Sequence, residues 1–203
     1  MLEPTDFKNE SKSDLEKSKE CVNEIFETLD YSLDELESSP TPTVLVLGTG
    51  PFFPEAHLIK DWAEKKERKV DLECVDRDET VNREYMKHIL NWQDSKFLNF
   101  ELINEDFEKY NFNKQYDLVL MLRISNLGDI GDNVFSSIAD SLKGNGVFLM
   151  SGGIPSYFLG SSLSNSDLRV EKHKELEYSS KDFYKGILVK ILQLNLERFK
   201  DGV

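Results

Sequence analysis

Histidine and cysteine are scarce in this 203-residue chain, and basic residues are outnumbered by acidic ones. Cys21 and Cys74 lie far apart, one in an expected helix and one in an expected strand, so they supply neither a disulfide framework nor a zinc-ligand spacing. Cys74 reads as a small apolar core residue. His57, His88 and His173 form no pair at metal-ligand spacing, so no metal is expected, and none of them nominates itself as a general base. Twenty-five Lys and Arg stand against thirty-eight Asp and Glu, a formal net charge of −13. Such a surface repels phosphate backbones, which argues against nucleic acid and leaves small molecules or basic partners; plain solubility is the simpler reading of the same charge. No apolar run approaches the roughly 20 residues of a membrane span, and the first thirty residues are too charged for a signal peptide. A cytoplasmic protein without membrane association is the expectation, with its oligomeric state open.

What the chain does have is the stretch Thr43 to Phe53, TVLVLGTGPFF, in which a short apolar run stops on two glycines and a proline. The run predicts a buried parallel strand. Gly48 and Gly50 allow a turn that other residues resist and leave room for a small molecule against the backbone. Pro54 suits the first turn of a helix continuing through Leu58, Ile59, Trp62 and Ala63, with His57 on its exposed side. Strand, glycine turn and helix together form the nucleotide-binding corner of a doubly wound sheet.

The same rhythm continues downstream. Val70 to Val75 predict a second strand ending in Asp76-Arg77-Asp78, followed by a helix through Val81, Tyr85, Met86, Ile89 and Leu90. Phe100 to Ile103, Tyr116 to Leu122 and Val147 to Met150 predict further strands; a helix from about Asn133 to Leu142 and a turn at Lys143-Gly144-Asn145-Gly146 precede the last of these. Leu168 to Tyr178 and Ile187 to Leu194 have little helix-length sequence between them and are expected to pair antiparallel. The pattern specifies an α/β fold: a doubly wound, mostly parallel seven-stranded sheet with an antiparallel terminal pair, preceded by N-terminal helices. Residues 1–40 read as an acidic helical extension, with twelve acidic and four basic residues, and 41–203 as a single Rossmann-like domain. Within the extension, residues 1–12 are expected to fray; Ser13 with Glu16 and Ser32 with Glu35 match the capping-box spacing of two helices.

The glycine turn and the terminal strand pair resemble the class I, Rossmann-like S-adenosylmethionine-dependent methyltransferases, whose first motif is acidic-x-Gly-x-Gly-x-Gly. Here Val46 occupies the acidic position and Phe52 the third glycine; the Gly-x-Gly-Pro start is similar to that of nicotianamine-synthase-like members. The resemblance implies S-adenosyl-L-methionine as cofactor, methyl transfer to a small-molecule acceptor, and a cofactor site at Gly48, Thr49, Gly50, Pro51, Asp76, Arg77, Asp106, Phe107, Leu122 and Arg123. Asp76 is implied to bind the ribose hydroxyls or else is a solvated strand-end acid. Arg77 either stacks on adenine or is a surface residue; Asp106 either accepts from the adenine amino group or closes a turn. Phe107 is a wall for the ring or a core residue, and Arg123 takes a substrate carboxylate or a salt bridge. Tyr116, Asp117 and Asn126 fall in register with the family's fourth strand, Ser125 and Asn126 follow its end, and Pro155, Tyr157 and Phe158 fall on the implied substrate side, with the N-terminal helices closing over the cofactor or simply packing on the sheet. Two other readings remain: a methyltransferase-like binding or scaffold protein, and a nicotinamide-dependent oxidoreductase. Against the latter, position 53 is Phe instead of the last glycine of Gly-x-Gly-x-x-Gly, and Glu55 at the helix start is expected to repel a pyrophosphate.

Overall fold

In the computed structural model, which describes residues 4–50, 52–78, 92, 94–124, 130–153, 168–177 and 185–193, the apolar runs assemble into one sheet. Strands β1 (Thr43–Leu47), β2 (Val70–Asp76), β3 (Leu98–Asn104), β4 (Tyr116–Ile124) and β5 (Leu142–Gly153) are parallel, in the spatial order β3-β2-β1-β4-β5. Beyond β5 come β6 (Leu168–Glu177) and β7 (Lys185–Gln193) in the order β5-β7-β6, with β7 antiparallel to both neighbours. The segment Lys143 to Gly146, expected as a turn, lies inside the bounds of β5 but bulges out of the ladder: Tyr116 pairs with Leu142 and Leu118 with Val147.

Alternation along the strands sorts the side chains onto two faces. Val44, Val46, Leu72, Cys74, Leu118, Leu120 and Leu149 join one core. Leu45, Leu47, Val75, Val119, Met121, Phe148 and Met150 join the other. The first face is covered by helix α1 (Pro4–Thr28), through Val22, Ile25 and Phe26, with Leu29 just beyond its end, and by α2 (Pro54–Lys66), through Ile59, Trp62 and Ala63. The second is covered by α3 (Asp132–Ser141), through Val134, Phe135 and Ile138. Burial on both faces is what makes the central strands read as nearly unbroken apolar runs.

The N-terminal region departs from the sequence reading. Residues 4–12 are helical, and α1 runs straight through the expected cap at Ser13. Pro4 fits a first helical position, and the Lys and Glu residues that follow are good helix formers, so the capping-box spacing at Ser13 is coincidental. The second box is formed: Ser32 caps a short 3₁₀ helix (Leu33–Ser38), with Glu35 reaching back to the Ser32 N–H. Asp34 in that turn accepts the Trp62 indole N–H at 2.9 Å and an ion pair from Lys66 at 3.0 Å, fastening the extension to α2. The expected helix from Val81 to Leu90, together with Pro51, Ser125, Asn126, Pro155, Tyr157 and Phe158, lies outside the described residues.

Between β3 and β4 the described chain, residues 105–115, crosses from the sheet edge without a helix. A buried carboxylate holds it. Glu73, only 3% exposed in mid-β2, accepts the hydroxyls of Tyr110 at 2.8 Å and Tyr116 at 2.6 Å and an ion pair from Lys114. Burial pushes the Glu73 carboxyl up, but the hydrogen bonds from Lys114, Tyr116 and Tyr110 outweigh it and hold the group below its ordinary value. A carboxyl lowered by folding contributes stability above its unfolded value, and that stability is lost as pH falls through the folded value. Glu73→Gln is therefore expected to lower the unfolding free energy at pH 7 by about 2 kcal/mol. It should also flatten the loss of stability on acidification below about pH 4. Urea titrations at several pH values measure both, and an unchanged acid limb would show that Glu73 does not carry this dependence.

Candidate functional site

The site begins where β1 ends. Gly48 and Gly50 have φ of +69° and +60°, the left-handed region that glycine enters without a Cβ penalty. The Gly48 N–H donates to the Val75 carbonyl at 2.8 Å, so the turn stays attached to β2. Asp76 at the end of β2 completes the attachment: its Oδ2 accepts the Gly50 N–H at 3.0 Å and the hydroxyl of the fully buried Thr49 at 3.3 Å, and its Oδ1 accepts the Asp78 N–H at 2.9 Å. Asp76 as a whole is only 8% exposed. Asp76 is thus a structural tie of the glycine turn and not a solvated strand-end acid.

The strand order then lines up the other groups. Asp106 and Phe107 follow β3, Asp76 and Arg77 close β2, the glycines follow β1, and Arg123 lies near the end of β4. From β3 to β4 is three strand spacings, about 14 Å. Along this edge runs a cleft of about 530 Å³, a volume typical of small-molecule sites. It sits at the carboxyl ends of the strands, where the chain passes to opposite sides of β1, the topological switch point of such sheets.

Seven of the ten sequence-predicted residues line the cleft: Gly48, Gly50, Asp76, Arg77, Asp106, Phe107 and Arg123. Thr49 and Leu122 are buried beneath it instead, and Pro51 lies outside the described residues. Phe52 is half-buried and does not line the cleft; the aromatic ring driven into the core is that of Phe53, 1% exposed with φ +48° as it opens α2. Asp106 accepts the Glu108 N–H at 3.1 Å, and its carbonyl accepts the N–H groups of Lys109 and Tyr110, so it closes a turn while facing the cleft. The Arg77 side chain is 79% exposed and reaches 3.9 Å from the Asp106 carboxylate. Sequence reasoning missed Glu108, Ile124 and Ile130 in the lining. Ile124 continues a strand whose apolar character signalled only core, Ile130 is a lone apolar residue between Asp129 and Asp132, and Glu108 is one acid among many.

Glu55 corrects the sequence reading most sharply. Its carboxylate is 1% exposed and receives Arg123 Nη2 at 3.0 Å and Nε at 3.3 Å. Burial pushes the Glu55 carboxyl up, and Arg123 partly offsets this. Because its charge is compensated by a guanidinium, Glu55 does not stand at the helix start as a free anion, and repulsion of a phosphate by this residue no longer argues against a dinucleotide. His57 is likewise less exposed than expected: its ring packs edge-on against Trp92 at 4.6 Å. The side chains of His88 and His173 lie outside the described residues.

The fold is that of the class I, Rossmann-like S-adenosylmethionine-dependent methyltransferases. Solved structures with this likeness include the O-methyltransferase segment of StiE (TM-score 0.64, 14% identity, 90% of this chain and 80% of that one). The N-methyltransferase NodS from Bradyrhizobium japonicum WM9, solved with S-adenosyl-L-homocysteine, aligns at TM-score 0.55 and 10% identity over 78% of this chain and 81% of that one. The [4+2]-cyclase SpnF aligns at TM-score 0.62 and 8% identity over 86% and 80%. No family model matches the chain, and no curated protein matches it in sequence. At these identities the likeness is one of fold.

The two glycines should respond differently to a methyl group. A Cβ at Gly48 would come within 2.7 Å of Ile124 Cδ1, whereas one at Gly50 meets nothing within 4 Å. Both substitutions carry the left-handed penalty, so Gly50→Ala is expected to cost about 1 kcal/mol and Gly48→Ala about 2 kcal/mol or more. Denaturant unfolding of the two variants checks the order, and equal losses would mean that Ile124 yields freely.

Proposed function

We propose that this protein binds S-adenosyl-L-methionine in the cleft and transfers its methyl group to a small-molecule acceptor. The observation that carries the reading is the glycine turn at the switch point, held open by Asp76 beneath a cleft whose lining suits an adenosyl group. Gly50 leaves open space where a side chain would stand, Phe107, Ile124 and Ile130 offer an apolar wall, and Asp76 and Asp106 place carboxylates along one side. When bound, the cofactor would supply a methyl group on a sulfonium, which an acceptor nucleophile would take in line with release of the neutral thioether.

The chain's own part in this reading is alignment and shielding. Asp76 holds the turn and directs its carboxylate toward the ribose; Asp106 receives the adenine amino group, with Phe107 against the ring. The three clustered carboxylates Asp76, Asp106 and Glu108 favour a cationic ligand over a pyrophosphate. That charge, together with the antiparallel β6–β7 pair, supports an adenosyl sulfonium over a nicotinamide dinucleotide. The location we propose is the cytoplasm, and the acceptor is a small molecule because the acidic chain is a poor match for nucleic acid.

Thermal unfolding with S-adenosyl-L-methionine, S-adenosyl-L-homocysteine, NAD and NADP tests the reading. A ligand at about 100 times its dissociation constant stabilises by about 2.7 kcal/mol, and only the two sulfur nucleosides are expected to do so. A shift with NAD alone would transfer the site to hydride chemistry. Asp76→Ala should weaken S-adenosyl-L-homocysteine about tenfold or more in calorimetric titration; unchanged affinity would remove Asp76 from the ribose.

A further inference from the structure

Arg123 is placed against the local pattern of its strand. Met121 belongs to the core under α3 and Leu122 to the core under α1 and α2, so strict alternation would send the next side chain back toward α3. Pairing with β5 shifts here: Met121 faces Met150, but Ile124 faces Gly152, so three steps on β4 match two on β5. This β-bulge re-aims a side chain. Arg123 takes φ +60°, its N–H donates to Oγ of the buried Ser151 at 2.7 Å, and its guanidinium emerges on the α1–α2 side against Glu55, while Ile124 resumes packing with the opposite core. A left-handed conformation at a non-glycine residue is strained and persists only where its surroundings impose it. Bulge, positive φ, a backbone bond to a buried hydroxyl and a buried counter-carboxylate all act on this one side chain.

The guanidinium is held by one edge. Nε and Nη2 donate to Glu55, while Nη1 has no hydrogen-bond partner among the described residues. The side chain is 31% exposed and lines the cleft at its β4 end, the end away from Asp106. Arg77, the other arginine of the lining, is 79% exposed and leans toward Asp106, so its fork is neither buried nor held. A planar fork fixed along one edge is preorganised to give charge-assisted bonds from the other.

We propose that Arg123 is a carboxylate-recognition residue, with Glu55 holding the guanidinium so that its remaining edge meets a ligand carboxylate at the β4 end of the cleft. The proposal rests on the adenosyl reading for the ligand's direction: an adenosine moiety over β2 and β3 sends the far end of the ligand toward β4. Two carboxylates can arrive there, that of the cofactor's amino-acid end and that of an acceptor seated beside it.

The test uses the full chain and two nucleosides that differ by one group: S-adenosyl-L-homocysteine, and S-adenosyl-3-thiopropylamine, which lacks only the carboxylate. Calorimetric titration compares them in the unaltered protein, in Arg123→Gln and in Arg123→Lys; the lysine variant keeps a positive charge beside Glu55 while removing the fork. If the cofactor's carboxylate is the partner, the unaltered protein prefers S-adenosyl-L-homocysteine by about tenfold or more, and both variants lose the preference. If an acceptor's carboxylate is the partner, the two nucleosides bind alike, and succinate binds the nucleoside-saturated unaltered protein but neither variant. The proposal is overturned if both variants keep the nucleoside ratio and the succinate response of the unaltered protein. Failure of both nucleosides to bind the unaltered protein would instead overturn the adenosyl reading, and succinate titration without nucleoside would then decide Arg123, binding dependent on Arg123 supporting it and binding independent of it, or none, overturning it.

Discussion

The Asp76 carboxylate joins the end of β2 to the turn after β1, and the shape of the cleft depends on that join. Two successive donors of the turn, the Thr49 hydroxyl and the Gly50 N–H, meet one of its oxygens. A backbone with two positive φ values in three residues has little local preference for its own geometry, so the carboxylate supplies from β2 what the turn lacks. Since β1 and β2 are neighbours in the sheet, this tie also sets the distance between the glycine floor and the acidic side of the cleft. The remaining walls arrive on other supports: Asp106 and Phe107 on the segment held by Glu73, and Ile130 just ahead of α3.

Much of this was legible in the sequence because it depends on local periodicity. The buried strands announce themselves as apolar runs, Pro54 opens α2 as its residue type predicts, and the two glycines stand at the positive φ that their spacing suggested. Asp76, Asp106 and Arg123 line one cleft for a simple reason: in a parallel sheet the carboxyl ends lie along one edge, so residues at strand ends share it without any local signal linking them.

What sequence could not supply is the set of interactions made across the sheet. Glu73 sits among apolar neighbours in VDLECV, and nothing near it in the chain reveals that its partners lie at Tyr110, Lys114 and Tyr116. Glu55 was read from its place at the helix start, as an anion that repels a pyrophosphate, when its environment is decided by a side chain 68 residues away. At the N-terminus the error ran the other way: the spacing of Ser13 and Glu16 matched a cap by coincidence, and the helix continues through it because the residues before it are themselves compatible with a helix. Capping spacing marks where a helix is allowed to start, and continuation is governed by the residues upstream.

The bulge before Ile124 has a consequence of a different kind. Which face of the sheet receives the guanidinium is decided by counting residues as much as by their chemistry. One residue more in β5 opposite this point, so that the two strands paired step for step, would restore strict alternation and turn Arg123 from Glu55 toward the core beneath α3. The β4 end of the cleft is therefore written partly in chain length, which makes it tolerant of exchange among its apolar neighbours and intolerant of insertion or deletion between Met121 and Ile124.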